Sequence, residues 1–164
     1  MVTSIKGNDT STFGGNIDVP QIITDAPAFW AWQSVQQTGV TASTWTKITF
    51  TSEIFDTNNN YDSSRFTPTV AGYYQINATI TMPTVNTGHF IISGIYKNGS
   101  NYTQGVPIAG NTNYYPTSTG STLVYLNGTT DYVEIYAFGS AGGNYSIYNA
   151  AVNTNFSGHL VRAV

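Results

Sequence analysis

Few side chains in this chain have the types and the spacing that catalysis needs. The two histidines, His89 and His159, are far apart in sequence and neither lies in a metal-binding or catalytic motif. Each is therefore interpreted as a hydrogen-bonded residue of a surface or an interface. The serines, among them Ser34 and Ser157, lack the Gly-x-Ser-x-Gly turn that exposes the nucleophile of many hydrolases. Nothing marks two of the eight Asp and Glu residues as the acid and base of a glycosidase.

The other sequence features give no cofactor site. Residues 138–143 (FGSAGG) are glycine-rich, but neither a lysine nor a helical pattern follows them, so they are interpreted as a loop and not as a phosphate cradle. The chain has no cysteine, which excludes disulfide bonds and thiolate metal sites. We therefore expect no catalytic residue, no metal, no cofactor and no enzymatic activity.

The charge pattern excludes two classes of partner. Five Lys and Arg residues against eight Asp and Glu residues give a net charge of −3. The basic residues form no stripe for nucleic acid and no amphipathic segment for a membrane surface. No apolar run approaches the ~20 residues that span a bilayer. Residues 1–16 also lack the apolar core of a secretion signal, so we expect no such signal in this segment.

The composition predicts a β-sheet protein. Only 8% of the residues are charged, whereas 40% are hydrophobic and 14% aromatic. Burial of that apolar surface can offset the entropy lost on folding. The mixture of β-branched, aromatic and turn-forming residues is typical of strands joined by tight turns.

Alternating apolar and polar residues predict the strands, because successive side chains on a strand point to opposite faces. In the clearest case Tyr74, Ile76, Ala78, Ile80 and Met82 share one face. The pairs Asn98-Gly99 and Asn127-Gly128 are typical hairpin turns. The other predicted strands begin near Ala28 or span Trp45–Phe50, Phe90–Lys97, Ser121–Leu126, Tyr132–Phe138 and Phe156–Val164.

Three segments have the composition of connections rather than of strands. Residues Met1–Pro27 are rich in Gly, Asn, Thr and Asp, and we interpret them as an extended N-terminal arm. Thr103–Gly120 and Gly139–Thr154 are predicted to be long loops with at most a short strand. The chain is thus divided into an arm, residues 1–27, and one domain, residues 28–164.

Seven residues form a spaced pattern of aromatic, acidic and glycine positions: Phe50, Asp56, Tyr61, Phe66, Gly72, Tyr74 and Ile76. This pattern resembles that of the C1q-like domain, in which the last position is Phe. All intervals match except that from Tyr61 to Phe66, which is two residues shorter here. Residues 123–135 (LVYLNGTTDYVEI) and 155–161 (NFSGHLV), with Phe156 and Gly158, resemble later strands of the same family. The resemblance covers residues 28–164.

The resemblance implies an all-β, C1q/TNF-like jelly-roll sandwich of about ten strands that assembles as a homotrimer with an apolar seam. We interpret the motif residues as core and turn positions, and Gly72 as the residue of a turn into the central strand, because glycine tolerates a positive φ. Some C1q-like heads bind calcium through loop carboxylates. The corresponding loop here, Gln104–Leu123, has no Asp or Glu, so no calcium site is expected.

The sequence leaves three possible functions open. The first is a virion structural protein of a bacteriophage, such as a capsid decoration, spike or tail-fibre module. Its arm would join other virion proteins, and its loops would contact a host glycan or surface protein through Tyr114, Tyr115, Tyr145 and Tyr148. The alternative is a secreted, extracellular C1q/TNF-like ligand or adhesin. The third, a polysaccharide lyase or hydrolase, requires a cluster of titratable side chains that the sequence does not indicate.

Overall fold

A computed structural model describes residues 26–83, 88–110 and 114–164. These residues form β-strands and turns, with no helix among them. The strands are β1 (Ala28–Trp32), β2 (Gln37–Val40), β3 (Thr46–Lys47), β4 (Ser52–Asp56), β5 (Tyr61–Asp62), β6 (Arg65–Phe66), β7 (Gly72–Thr81), β8 (Phe90–Lys97), β9 (Ser100–Gln104), β10 (Ile108–Ala109), β11 (Thr117–Leu126), β12 (Val133–Ser140), β13 (Tyr145–Ile147) and β14 (Asn155–Ala163).

The first sheet has five antiparallel strands in the order β11-β7-β14-β1-β4. The strands β7 and β11 pair over their whole lengths, from Gly72 opposite Leu126 to Thr81 opposite Thr117. Strand β7 is the segment with the clearest alternation in the sequence, and its alternate residues are buried from Gly72 to Ile80. A long strand with one buried face fixes its own register, because a shift by one residue would expose the apolar set.

The second sheet follows the order β10-β8-β12-β6-β5, with β9 on β8 and β3 on β12. Strands β2 and β13 form a separate pair. The long strands β8 and β12 form the centre of this sheet and pair from Phe90 opposite Ser140 to Lys97 opposite Val133. Short strands pair with their outer edges. The two large sheets make an antiparallel sandwich, so the predicted all-β jelly-roll fold is confirmed.

The core lies between the two sheets and centres on aromatic rings. Phe29 stacks on Phe66, with ring centroids 4.3 Å apart, and meets Phe156 edge-on at 4.7 Å. Such pairs are each worth about 0.5–1.5 kcal/mol beyond their buried area. Tyr61 and Tyr74 join the same cluster. The other apolar motif residues, Phe50 and Ile76, are also buried in this core.

The two predicted asparagine-glycine turns have different roles. Asn98 and Gly99 both have positive φ, 51° and 76°, and join β8 to β9 by the predicted two-residue turn. After β11, the side-chain oxygen of Asn127 accepts hydrogen bonds from the backbone amides of Thr129, Thr130 and Asp131. This second turn is therefore closed by a side chain, as turn-forming asparagines commonly do.

The structure corrects three details. Gly72 does not have a positive φ; it is required because a Cβ there would collide with the carbonyl oxygen of Arg162. Of the predicted strand Trp45–Phe50, only Thr46–Lys47 forms a strand, and one further backbone hydrogen bond joins the Ile48 amide to the Ile135 carbonyl at 2.9 Å. The two predicted loops contain β10, the start of β11 and β13. Of the arm, residues 1–25 lie outside the described part of the chain. No described helix is long and apolar enough to cross a membrane.

Candidate interaction surfaces

One side of the first sheet carries protruding apolar side chains that the core does not use. Tyr73 and Tyr125 lie opposite each other on β7 and β11, with ring centroids 5.6 Å apart. They are 42% and 40% exposed, and Leu123 on the same strand is 49% exposed. Alternation causes this arrangement, because Tyr74 points into the core and Tyr73 must then point out.

Towards the opposite edge of the same sheet, strands β4, β1 and β14 surround a hollow of about 250 Å³. Trp30 and Phe55 lie opposite each other and form its large apolar walls. Ala28, Ser157 and His159 complete the outer lining.

The tyrosines of the two loop regions are only partly brought together. Tyr115 stacks on Tyr148, with centroids 5.0 Å apart and an interplanar angle of 25°. Tyr114, next in sequence, is 69% exposed. Tyr145 differs, because it is 6% exposed and belongs to the hydrophobic core. Its burial raises the pKa of its hydroxyl to about 12. The structure therefore leaves Tyr114, Tyr115 and Tyr148 accessible to a partner, and Tyr145 not.

A buried carboxylate holds two cations on the outer face of the second sheet. Glu134 of β12 is 3% exposed, and its Oε1 accepts hydrogen bonds from Lys47 Nζ at 2.7 Å and from Arg65 Nε at 2.9 Å. Burial alone would raise the pKa of Glu134, but the hydrogen bonds and charges of Lys47 and Arg65 outweigh it and hold the pKa below its usual value. The Arg65 guanidinium also lies 3.9 Å from the ring centroid of Tyr132.

A polar groove of about 590 Å³ adjoins these cations. Lys47 and Arg65 form part of its lining. The other lining residues carry amide, carboxylate or hydroxyl groups and come from the turns around β5 and β6: Asn59, Asn60, Asp62, Ser63, Thr67 and Thr69. The groove thus offers hydrogen-bond donors and acceptors next to the apolar parts of the same side chains.

An outer row of aromatic rings runs along the second sheet. Phe90, Phe138, Trp45, Tyr96 and Tyr136 follow one another, with neighbouring centroids 4.0 to 6.1 Å apart. The row passes through the middle of the sheet and ends next to Glu134, since Tyr136 lies two residues further along β12.

The polar motif residues and the histidines form no catalytic cluster. Asp56 accepts a hydrogen bond from the backbone amide of Tyr61 at 2.7 Å, which closes the turn before β5. Gly158 lies where a Cβ would contact Ile76 and Phe29 at less than 3.0 Å. His89 precedes β8 and His159 is exposed on β14. Among the described residues, no group of three or more His, Cys, Asp or Glu side chains could hold a metal ion.

An antiparallel two-sheet sandwich of this topology defines a jelly-roll domain. A family model of the C1q domain matches residues 28–161, and the chain belongs to that family. This agrees with the spacing of residues Phe50 to Ile76. No curated protein matches the sequence.

Solved structures share the fold at low sequence identity. They include the globular domain of the zebrafish complement 1qA protein, with 16% identity, a TM-score of 0.62 and coverage of 85% of this chain and 99% of that chain. Murine APRIL at pH 5.0 has 8% identity, a TM-score of 0.64 and coverage of 83% and 99%. The PRD1 vertex protein P5 has 19% identity, a TM-score of 0.57 and coverage of 85% and 98%. These likenesses show the fold alone.

The sequence did not reveal the hollow, the groove or the Glu134 cluster. The hollow and the Glu134 cluster are built from segments that are distant along the chain, and the groove is shaped by the turns within residues 59–69, so no local motif marks them. One signal was available for Tyr145: it lies three positions before Tyr148 in an extended segment, and an odd spacing of this kind places the two tyrosines on opposite faces.

Proposed function

We propose that this chain is a non-enzymatic virion structural protein, a capsid decoration, spike or tail-fibre module, whose C1q head forms a homotrimer. The observation that carries the trimer is the presence of two different apolar patches on one sheet. Tyr73, Leu123 and Tyr125 protrude at one side, and the hollow beside Trp30 and Phe55 lies at the other.

Two different patches favour a head-to-tail contact between copies. In such a contact the protrusion of one copy fits the hollow of the next, and the interaction closes into a ring when the rotation allows it. Large exposed apolar side chains that adjoin one another are also unusual on a monomer. Aromatic residues are enriched at the centres of interfaces. The trimer is the ring that the family resemblance implies.

We assign the anchoring role to residues 1–27. The described end of this arm joins the first sheet, because the carbonyl of Pro27 accepts a hydrogen bond from the Leu160 amide at 2.9 Å. The C-terminal end of the arm therefore lies beside His159 and the hollow, at the part of the sheet that would meet a neighbouring copy. Deletion of residues 1–25 should leave a folded trimeric head that no longer joins the particle. Incorporation of the truncated protein would contradict the anchoring role.

The virion assignment has two supports. One structural neighbour is a vertex protein. The chain also has few charges and loops rich in Asn, Thr, Tyr and Gly, as the sequence hypothesis requires. The test is its location: quantitative mass spectrometry of purified particles should find the chain in a copy number that is a multiple of three. Its recovery only as free protein outside the particles would contradict the assignment.

The host-contact role is proposed for the accessible loop tyrosines. Tyr115 and Tyr148 form one stacked pair, and Tyr114 extends from the same loop. Stacked tyrosines offer a large contact area with little rotamer entropy to lose, so a glycan or a surface protein could bind them. Tyr145 is left out of this proposal because its ring is in the core.

The alternative function is a secreted C1q/TNF-like ligand or adhesin. It is favoured by the structural likeness to the zebrafish complement domain and to murine APRIL. The same trimer and the same loop surface would serve it. It differs in location, because the protein would then be found free outside the cell and not bound in particles.

A further inference from the structure

The groove beside Glu134 has the dimensions of a ligand site. Its volume of about 590 Å³ lies within the range of about 300–1,000 Å³ that small-molecule sites usually occupy. It belongs to the second sheet and the turns around β5 and β6, whereas the proposed trimer contact uses the first sheet. It therefore stays open in the trimer, and it would be open in a monomer as well.

The backbone of the groove is held in an unfavourable conformation. Asn59, Ser63 and Ser64 have positive φ values of 53°, 50° and 60°. Each such residue costs of the order of 1 kcal/mol and persists only when its surroundings fix it. Ser64 is fixed by its Oγ, which accepts a hydrogen bond from the buried Phe50 amide at 2.8 Å. Asn60 Oδ1 also accepts one from the Thr69 amide at 3.3 Å. These bonds hold the turn backbone that carries the exposed Asn59 and Ser63.

The charges of the groove nearly cancel. Lys47 and Arg65 both bind Glu134, which neutralises one of the two cations. Asp62, exposed in the same groove, balances the other. A charged ligand would therefore find no surplus of opposite charge. A neutral ligand with many hydroxyl groups would find carboxylate, amide, hydroxyl and cationic partners within one groove.

Two tyrosines adjoin the cations of the groove without lining it: Tyr132 contacts Arg65, and Tyr136 lies opposite Lys47 with one ring face stacked on Tyr96. Tyr132, Glu134 and Tyr136 alternate along the chain and so face the same side of the sheet. Tyr132 already packs against Arg65. Rings beside a polar groove suit the apolar faces and hydroxyl edges of a sugar.

We propose that this groove binds a neutral saccharide, with Asn59, Asp62 and Arg65 as hydrogen-bonding residues and with Tyr132 and Tyr136 beside the next sugar unit. The site is separate from the Tyr114, Tyr115 and Tyr148 surface. It depends neither on the virion assignment nor on the trimer, so its failure would leave both proposals standing.

The test is a titration of the full-length, ¹⁵N-labelled protein, monitored by the NMR chemical shifts of its backbone amides. The probes are neutral tetrasaccharides of glucose, galactose, mannose, N-acetylglucosamine and rhamnose, each added to about 10 mM, which detects millimolar binding. Tetragalacturonate is the acidic probe. The groove variants are Asn59→Gly, which preserves the positive φ, and Asp62→Ala. The control is Ser43→Gly, a positive-φ residue outside the groove.

The expected result is that at least one neutral probe shifts the amides of residues 59–69 and 132–136. Asn59→Gly and Asp62→Ala should each weaken that binding about tenfold, as the loss of one hydrogen bond with a charged or well-placed partner does. Ser43→Gly should bind as the wild type does. Binding of tetragalacturonate alone, shifts confined to Tyr114, Tyr115 and Tyr148, or no shift with any probe would overturn the proposal.

Discussion

Tyr73 and Tyr125 lie directly opposite each other on β7 and β11, with their rings 5.6 Å apart, and both rings are turned away from the core. Lys97 Nζ lies 5.7 Å from the Tyr125 ring centroid. The pair is therefore organised by its own strands before any partner arrives. A preorganised aromatic pair loses little entropy on binding, which suits a contact between subunits.

Placing a charge in this pair should dissociate the oligomer. Tyr73→Glu would put an uncompensated carboxylate into an apolar interface, and central interface residues commonly contribute about 2 kcal/mol or more. We expect subunit affinity to fall about 30-fold or more, measured by analytical ultracentrifugation. Tyr114→Glu, the same change at an exposed tyrosine on a loop, is the control and should keep the oligomer. Equal behaviour of the two variants would remove Tyr73 from the interface.

The Glu134 cluster makes the free energy of unfolding depend on pH. Because the pKa of Glu134 is lower in the folded than in the unfolded protein, its carboxylate stabilises the fold above the unfolded-state pKa. That stabilisation is lost as the pH falls through the folded-state pKa. Glu134→Gln should lower the free energy of unfolding at about pH 7 by about 1–3 kcal/mol, and the difference from wild type should shrink towards about pH 3.

Denaturant unfolding across this pH range measures the effect of the Glu134 change. The matched variant is Glu53→Gln, because Glu53 is exposed on β4 and makes no ion pair with any described residue. It should change stability little at any pH. A deficit for Glu134→Gln that is the same at about pH 7 and at about pH 3 would contradict the role of the ionised carboxylate.

The buried side-chain amide of Gln33 is predicted to lower the free energy of unfolding, because its polar atoms are unpaired among the described residues. Gln33 is fully buried, and neither its Oε1 nor its Nε2 has a hydrogen-bond partner among the described residues. Gln33→Met keeps a similar length and removes the unpaired polar atoms, so it should stabilise the protein by about 1–3 kcal/mol. Thermal unfolding measures this, with Gln104→Met as the control at an exposed position. A lower melting temperature for Gln33→Met would show that the amide is paired in solution.

Close packing around Gly72 leaves no room for a side chain. A methyl group there would meet the Arg162 carbonyl and the Leu160 side chain. Overpacking of this kind costs about 1–3 kcal/mol, so Gly72→Ala should lower the free energy of unfolding by about that amount. Gly142→Ala is the control, because its Cβ would meet only His89 at an ordinary 3.7 Å. Equal stability of the two variants would contradict the close approach of β7 and β14.

The loop tyrosines should matter for binding and not for folding. Tyr115→Ala breaks the stack with Tyr148 and removes an exposed ring. We expect particles that carry it to adsorb to host cells about tenfold less, with an unchanged melting temperature of the isolated protein. Tyr102→Ala, at another exposed tyrosine on β9, should adsorb normally. Normal adsorption of Tyr115→Ala would exclude this surface from host contact.

Alternation predicted the long strands because a period of two is visible over eight or ten residues. The same alternation relates Gln33 to Phe29 and Ala31, and the structure shows that this is the buried face. Strands of two residues, such as β3 and β6, have no period to detect. Their positions depend on partners far along the chain, since Lys47 and Arg65 both meet β12.

The candidate sites were harder to predict for the same reason. The groove depends on backbone conformations at Asn59 and Ser63 that the sequence does not mark, because asparagine and serine usually adopt negative φ. The protruding Tyr73 was predictable from its neighbour Tyr74. The hollow was not, because its walls, Trp30 of β1 and Phe55 of β4, are brought together only by the pairing of the two strands.

The central claim is that the head assembles as a trimer through the outer face of its first sheet. Native mass spectrometry of the full chain at micromolar concentration tests it most directly. One chain has a mass of 17.7 kDa. The account predicts a dominant species of three chains that Tyr73→Glu converts into single chains. A wild-type protein that remains a single chain of 17.7 kDa would contradict it.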